Sequence, residues 1–150
     1  MADEPKRMAL RGLHHVTAIC RDLERTTAFY RDTLGMALVQ RQANDDDPDA
    51  RHFWFGDATG TPGTLISFLE YADMADGSVG VGSTHHVAFV VDSAEEQEAW
   101  RDYLRGRGVE CTDVFDRGGF RSIYLRDPDG HIIEIATRGP GFAGARALPR

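Results

Sequence analysis

An internal repeat is the feature of this sequence that most constrains its fold. Residues 14–19 read His-His-Val-Thr-Ala-Ile, and residues 85–90 read His-His-Val-Ala-Phe-Val. In each copy an Asp follows closely, and then a stretch whose apolar residues recur at three- and four-residue steps, the spacing of an amphipathic helix. Because self-similarity of this kind is typical of a duplicated structural unit, we predict two copies of one unit.

Each copy is predicted to have the element order βαβββ. The helix of the first copy is expected to end at Gly35, and in the second copy Ser93 and Glu96 have the spacing of a capping box at the start of a helix. The apolar stripe of that second helix comprises Trp100, Tyr103 and Leu104. Strand-like runs follow each helix, at 37–41, 51–56 and 64–71 in the first copy and at 109–115, 121–126 and 131–137 in the second.

The predicted fold class is α+β, with two βαβββ modules that form an open, incompletely closed barrel around a cleft. A sheet with a helix on one face leaves its other face to be covered, and pairing two modules provides that cover. Two unrelated α+β layers are the alternative, which the shared order, spacing and turns of the two copies disfavour. The predicted boundaries are 8–72 for the first module, 73–83 for a linker, 84–138 for the second module and 139–150 for a tail that is an arm or disordered.

Composition excludes several classes of protein. The 150-residue chain carries 17 Lys and Arg against 24 Asp and Glu, a net charge of −7, which argues against nucleic-acid binding because phosphates are neutralised by clustered basic residues. An apolar content of 41% suffices for a packed core, but no run reaches the ~18–20 apolar residues of a membrane span. The first eight residues lack the apolar core of a secretion signal and the two cysteines are isolated, so we expect a cytoplasmic protein.

Three side chains are candidates for metal ligands. His15 and His86 occupy equivalent positions in the two copies, and Glu134 lies in an apolar run typical of a buried strand. A buried carboxylate is costly unless it is paired or bound to a metal. Two imidazoles and one carboxylate form the ligand set favoured by non-haem Fe(II) and acceptable to Mn(II), Ni(II) or Zn(II). The position equivalent to Glu134 in the first copy is Ser67, a poor ligand, so we predict three protein ligands and up to three open positions.

Each of these residues also has a purely structural interpretation. A single histidine in a strand is more often a hydrogen-bonded residue than a ligand, and Glu134 is able to pair with Arg121 or Arg138 instead. Two histidines at repeat-equivalent positions, together with a carboxylate in an apolar strand, favour the metal site.

Three motifs of this sequence resemble those of the vicinal oxygen chelate superfamily, which includes glyoxalase I, antibiotic-resistance proteins and extradiol ring-cleaving dioxygenases. They are His-His-Val-Thr at 14–17, His-His-Val-Ala-Phe at 85–89 and Arg-Asp-Pro-Asp-Gly-His-Ile-Ile-Glu at 126–134. The resemblance extends over about residues 10–138, nearly the whole chain. Within the superfamily, the segments 52–68 and 121–130 most resemble hydroquinone-type ring-cleaving dioxygenases.

This resemblance implies a ligand set, neighbouring residues and an assembly. It implies an Fe(II) ion held by His15, His86 and Glu134. The reactants it implies are a small aromatic substrate and O₂. The dioxygenases it points to are usually longer, with twice as many modules, so a homodimer is expected to supply the missing half. The residues it places near the substrate or next to the ligands are Tyr124, His14, Thr17, His85 and Arg117.

Four residues are candidates for proton transfer and charge stabilisation. Tyr124 or a histidine, His52 or His85, suits the proton steps because imidazole titrates near neutrality. Arg117 suits the stabilisation of developing negative charge. From the residues alone, the histidines can equally be edge hydrogen-bonders, Tyr124 a core residue and Arg117 a solvated loop charge, so both interpretations stay open here.

The predicted function is cleavage of an aromatic diol, a catechol or a hydroquinone, by an Fe(II)-dependent extradiol-type dioxygenase. One alternative is a glyoxalase I-like lyase or isomerase, which generally has a fourth side-chain ligand where this chain has Ser67. Another is a non-enzymatic drug-binding protein of the same fold, a class that usually lacks the three ligands. No nucleic-acid or membrane partner is expected.

Overall fold

The structure is a computed structural model that describes residues 8–142. The chain divides between Asp73 and Met74 into two compact units. Each unit contains one four-stranded sheet, which confirms the α+β class and the βαβββ order. Within residues 8–142 none of the helices has both the length and the apolar character needed to cross a membrane.

The helices and strands follow the repeat closely. The first unit contains β1 (His15–Cys20), α1 (Leu23–Thr27, continued as a π-helical segment Ala28–Thr33), β2 (Ala37–Asn44), β3 (Asp47–Gly56) and β4 (Leu65–Glu70). The second unit contains β5 (Val87–Val91), α2 (Ala94–Gly106), β6 (Phe115–Asp116), β7 (Arg121–Arg126) and β8 (Ile132–Thr137).

The two sheets have the same topology and register. The strand orders are β1-β4-β3-β2 and β5-β8-β7-β6, and in each sheet the outer first strand runs parallel to the last strand of its unit. Ser67 pairs with Trp54 on the neighbouring strand, and Glu134 pairs with Tyr124 in the same way. The register therefore makes Ser67 the structural equivalent of Glu134.

Each sheet buries one face against its helix. In the first unit Tyr30, on the π-helical segment, stacks on Phe68 with ring centroids 4.7 Å apart, and both side chains are fully buried. In the second unit α2 contacts β7 and β8, and Leu104, Ile123 and Ile133 on these elements are fully buried. Because side chains alternate along a strand, the opposite face of each sheet presents the residues between these apolar positions.

The helix signals are confirmed with two differences. Asp22 Oδ1 accepts from the Arg25 backbone N–H at 2.8 Å, and Ser93 Oγ accepts from that of Glu96 at 3.1 Å. The Glu96 carboxylate accepts from the backbone N–H of Asp92, not of Ser93, so the capping box is only half formed. The predicted apolar stripe is also partly wrong, because Tyr103 is exposed and the buried α2 residues are Gln97 and Leu104.

Three local predictions are corrected. The strands β2 and β3 are longer than the predicted runs 37–41 and 51–56, because β2 continues to Asn44 and β3 begins at Asp47. The run 109–115 forms only an isolated bridge from Cys111 and the two-residue β6. His86 lies immediately before β5 and not within it.

The tail has a defined contact at its start. The Gly141 backbone N–H donates to the Gly119 carbonyl at 2.6 Å, and the Phe142 ring lies 5.8 Å from that of Phe120, edge to face. The prediction for residues 143–150 lies outside the described part of the chain.

Candidate metal centre

Glu134 is a buried carboxylate with two hydrogen-bonding partners on the open face of the second sheet. It lies in the middle of β8, only 3% exposed. Ser122 Oγ, on β7, donates to Glu134 Oε1, and His86 Nε2 lies 2.9 Å from Glu134 Oε2. A carboxylate held in this way is oriented with one oxygen directed at an imidazole.

The alternative salt bridges of Glu134 do not form. Arg121 pairs with Glu98 at 2.7 Å, and Arg138 pairs with Asp92 at 2.8 Å. The structural alternative to a metal ligand, pairing of Glu134 with Arg121 or Arg138, is therefore not observed, because both guanidinium groups reach acidic residues at the surface of the second unit.

His85 contacts the side chain of His86. Their Nδ1 atoms lie 2.9 Å apart, and the two rings are nearly perpendicular. The first unit repeats this arrangement, with the Nδ1 atoms of His14 and His15 3.1 Å apart. One nitrogen of each pair must carry the proton and the other must accept it, so each first histidine determines which tautomer its neighbour adopts.

Tyr124 and Arg117 lie beside His86. The Tyr124 ring is perpendicular to the His86 ring with centroids 5.9 Å apart, and Arg117 Nη2 donates to the Tyr124 hydroxyl oxygen at 3.0 Å. The guanidinium also lies over the Tyr124 and Phe115 rings, at 5.4 and 4.9 Å from their centroids. Arg117 is thus an exposed cation held by two aromatic rings and a hydroxyl.

In the first unit His15 lies against Trp54 with ring centroids 4.8 Å apart, and His52 lies against the same indole at the same distance. His52 Nε2 is 2.9 Å from Ser67 Oγ, which is in turn 2.8 Å from Thr17 Oγ1. Burial lowers the pKa of His52 below its usual value, and the nearby His15 lowers it slightly further. Asp45 acts in the opposite direction.

The predicted residues therefore fall into two groups, one in each unit. The second unit brings together His85, His86, Arg117, Tyr124 and Glu134, and the first brings together His14, His15, Thr17 and His52. Over residues 8–142 the structure contains no group of three His, Cys, Asp or Glu side chains placed to hold a metal ion. The convergence of His15 with His86 and Glu134 stays a prediction.

Two residues of these groups were missed at the level of sequence. Ser122 lies two positions before Tyr124 on β7, so strand alternation puts both on the face of Glu134. Trp54 is the register equivalent of Tyr124. Aligning the strands of the two copies would have pointed to Trp54, but nothing in the sequence marks the contact of Ser122 with Glu134.

Comparison with known proteins identifies the family. A family model described as "Glyoxalase/Bleomycin resistance protein/Dioxygenase superfamily" matches residues 12–135. The "Putative ring-cleaving dioxygenase MhqE" of Bacillus subtilis (strain 168) is 39% identical over 134 residues, covering 88% of this chain and 44% of that protein. "Fosfomycin resistance protein FosX" of Listeria monocytogenes is 29% identical over 126 residues, covering 83% of this chain and 87% of FosX.

A solved structure of a similar protein has the same fold as this chain. The crystal structure of a "putative dioxygenase from Bacillus subtilis subsp. subtilis str. 168" superposes with a TM-score of 0.80 and 33% identity, over 93% of this chain and 44% of that one. The chain spans less than half the length of the two Bacillus proteins. Because the family model covers most of the sequence, the chain belongs to the glyoxalase/bleomycin resistance protein/dioxygenase superfamily.

Proposed function

We propose that this protein is a non-haem Fe(II)-dependent dioxygenase that cleaves an aromatic diol, a catechol or a hydroquinone, with O₂. The observation that carries the proposal is the Glu134 carboxylate, buried and held by Ser122 with its second oxygen directed at His86 Nε2. Similarity to a protein named as a ring-cleaving dioxygenase supports the reaction class.

The side chains of Glu134 and His86 fit a divalent metal. Glu134 and His86 present an oxygen and a nitrogen to one point, and His15, at the equivalent position of the first unit, would complete a ligand set of two imidazoles and one carboxylate. If His86 binds the metal through Nε2, its Nδ1 carries the proton and donates to His85. His14 would hold His15 in the same way.

Ser67 explains why three ligands would suffice. It takes the place of a carboxylate at the position equivalent to Glu134, which leaves coordination positions free for substrate and O₂. A metal bound there would lower the pKa of a coordinated phenol and allow electrons to pass between the diol and O₂.

The other residues of the second unit would bind and orient the substrate. The Arg117 guanidinium is a cation at the Tyr124 hydroxyl, so it would stabilise a phenolate oxygen placed there. Tyr124 would donate a hydrogen bond to the substrate from the position next to His86, and its ring with that of Phe115 provides apolar surface for an aromatic substrate. His85 is placed to exchange a proton with His86 or its surroundings.

A homodimer is part of this proposal. The chain covers 44% of the dioxygenase relative, so two copies would supply a comparable number of βαβββ modules. Light scattering on the purified protein measures the oligomeric state directly.

The central experiment is anaerobic reconstitution with Fe(II), followed by catechol or hydroquinone and then O₂. We expect oxygen uptake and a ring-opened product from at least one diol. Glu134→Gln should abolish both together with iron binding, whereas Ser78→Ala, an exposed serine in the stretch between the two sheets, should change neither. An iron-loaded protein that consumes no O₂ with any diol would refute the proposal.

The match to FosX favours a second candidate, a metal-dependent enzyme that does not consume O₂. This chain spans 87% of FosX, a protein of comparable size. In such an enzyme the metal would act as a Lewis acid on the substrate. The oxygen electrode separates the two, because only the dioxygenase consumes O₂ during turnover.

A further inference from the structure

A hydrogen-bonded chain of three side chains runs along the open face of the first sheet, across β1, β4 and β3, and ends at a buried imidazole. Thr17 is exposed on the same face of β1 as His15, Ser67 is fully buried on β4, and His52 is 9% exposed on β3. The distances are 2.8 Å from Thr17 Oγ1 to Ser67 Oγ and 2.9 Å from Ser67 Oγ to His52 Nε2.

The second unit has a different set of groups at the same positions. By register, Ser67 corresponds to Glu134 and His52 corresponds to Ser122. A carboxylate that accepts from a serine in the second unit is thus replaced in the first by a serine bonded to a histidine. The duplicated fold does not by itself require an imidazole at this position, since the second unit forms the same sheet with serine there.

The direction of the chain depends on which nitrogen of the His52 imidazole carries the proton. Burial lowers the pKa of this imidazole. Two charged or titratable groups also act on this pKa, which Asp45 raises and His15 lowers. A neutral imidazole whose Nε2 is unprotonated accepts from the Ser67 hydroxyl. Ser67 Oγ then accepts from the Thr17 hydroxyl, which leaves the Thr17 oxygen able to accept a proton from a group on the open face.

We propose that His52 is a positioning residue that accepts the substrate's phenolic proton through Ser67 and Thr17. The O–H bond of the diol breaks and its proton passes to Thr17 Oγ1, the Thr17 proton passes to Ser67 Oγ, and the Ser67 proton passes to His52 Nε2. The product step returns the proton along the same path, so no electrons and no further reactant are involved. This inference rests on the proposed diol substrate and assigns the residues that deprotonate it.

The first test uses metal-free protein with ¹⁵N-labelled histidine and needs no activity. We expect the NMR spectrum at neutral pH to show His52 as the neutral tautomer with the proton on Nδ1. Ser67→Ala should shift the Nε2 resonance, and His52→Gln should assign the signal by its loss. A proton on Nε2 at neutral pH would reverse the direction of the chain and overturn the proposal.

The second test measures diol cleavage by the iron-loaded protein. His52→Gln keeps a hydrogen-bonding group beside Ser67 but cannot act as a base, and general-base contributions suggest a loss of about 100-fold in kcat. Ser67→Ala should cost a similar factor, the double variant no more than either single one, and Thr17→Ser should retain the activity that Thr17→Val loses. The acid limb of the kcat profile should disappear in His52→Gln.

These results distinguish the two proposals. A wild-type protein that binds iron but cleaves no diol refutes the proposed function. The proton transfer through Thr17 and Ser67 to His52 is refuted alone if the wild-type protein cleaves a diol but the variants keep its kcat and pH profile. It is also refuted alone if the losses of the single variants add in the double variant.

Discussion

Replacing Ser122 with alanine tests how the Glu134 carboxylate is held. The substitution removes one oxygen atom from a fully buried position and creates almost no change in volume. The main effect is that Glu134 Oε1 loses the hydroxyl that donates to it. Oε2 keeps its contact with His86 Nε2 at 2.9 Å.

The expected magnitude follows from the burial of Glu134. A hydrogen bond to a charged group contributes about 1.5–3 kcal/mol, and a carboxylate that is 3% exposed cannot replace the lost donor with bulk water. We therefore expect the free energy of unfolding of metal-free Ser122→Ala to fall by about 2 kcal/mol at pH 7. Metal affinity should fall by about 10–100-fold, the usual effect of losing a group that orients a ligand.

The assays are urea denaturation of the metal-free protein and competitive titration of Fe(II) or Zn(II) against a chelator. Ser67→Ala is the matched control, since it also removes a buried serine hydroxyl but one whose partners, Thr17 and His52, are not predicted metal ligands. It should lower stability by about 1 kcal/mol per lost hydrogen bond and leave metal affinity within a few-fold. If Ser122→Ala matches the wild type in both assays, the hydroxyl does not hold the carboxylate and the reasoning fails.

Three further predictions concern other contacts. His131 Nδ1 lies 2.9 Å from the buried Asp127 carboxylate, which raises the pKa of the imidazole above its usual 6.5. The stabilisation from this pair is therefore complete below about pH 6.5 and is lost as the pH rises through the higher pKa of the folded protein. Urea curves from pH 6 to 9 should show the free energy of unfolding fall by about 1 kcal/mol, and His131→Asn should remove this pH dependence. Gln97→Leu should lower the free energy of unfolding by about 1–3 kcal/mol, because the amide donates at 2.8 Å to two backbone carbonyls inside the second unit; an unchanged urea midpoint would contradict this. Arg117→Gln should raise the KM for a cleaved diol about tenfold without changing iron content, since the cation at the Tyr124 hydroxyl is lost; equal KM values would remove Arg117 from the substrate site.

Much of the fold followed from short-range signals. Ser93 caps its helix as its spacing indicated, and Arg121–Arg126 forms a strand with the predicted ends. The errors arose where a short-range signal competed with strand pairing. The acidic stretch 44–49 has the composition of a loop, yet four of its six residues belong to β2 and β3, and Asn44 pairs with Asp47.

The candidate site was predictable in its residue types but not in its contacts. The repeat predicted that His15 is equivalent to His86 and Ser67 to Glu134, and the strand register confirms both equivalences. The sequence did not predict that neither Arg121 nor Arg138 pairs with Glu134. Both lie near it in sequence, but both pair with other acidic residues in the structure.

The amino-acid sequence alone determined the duplication, the order of elements in each half and the chemical identity of the groups on each strand, because these depend on periodicity and turn residues within a few positions. Only the tertiary structure decided that Ser122 donates to Glu134 and that His52 is buried beside Ser67, within hydrogen-bond distance of its hydroxyl. Both contacts join different strands, and the distance between two strands depends on register and packing across the whole sheet, which no local pattern encodes.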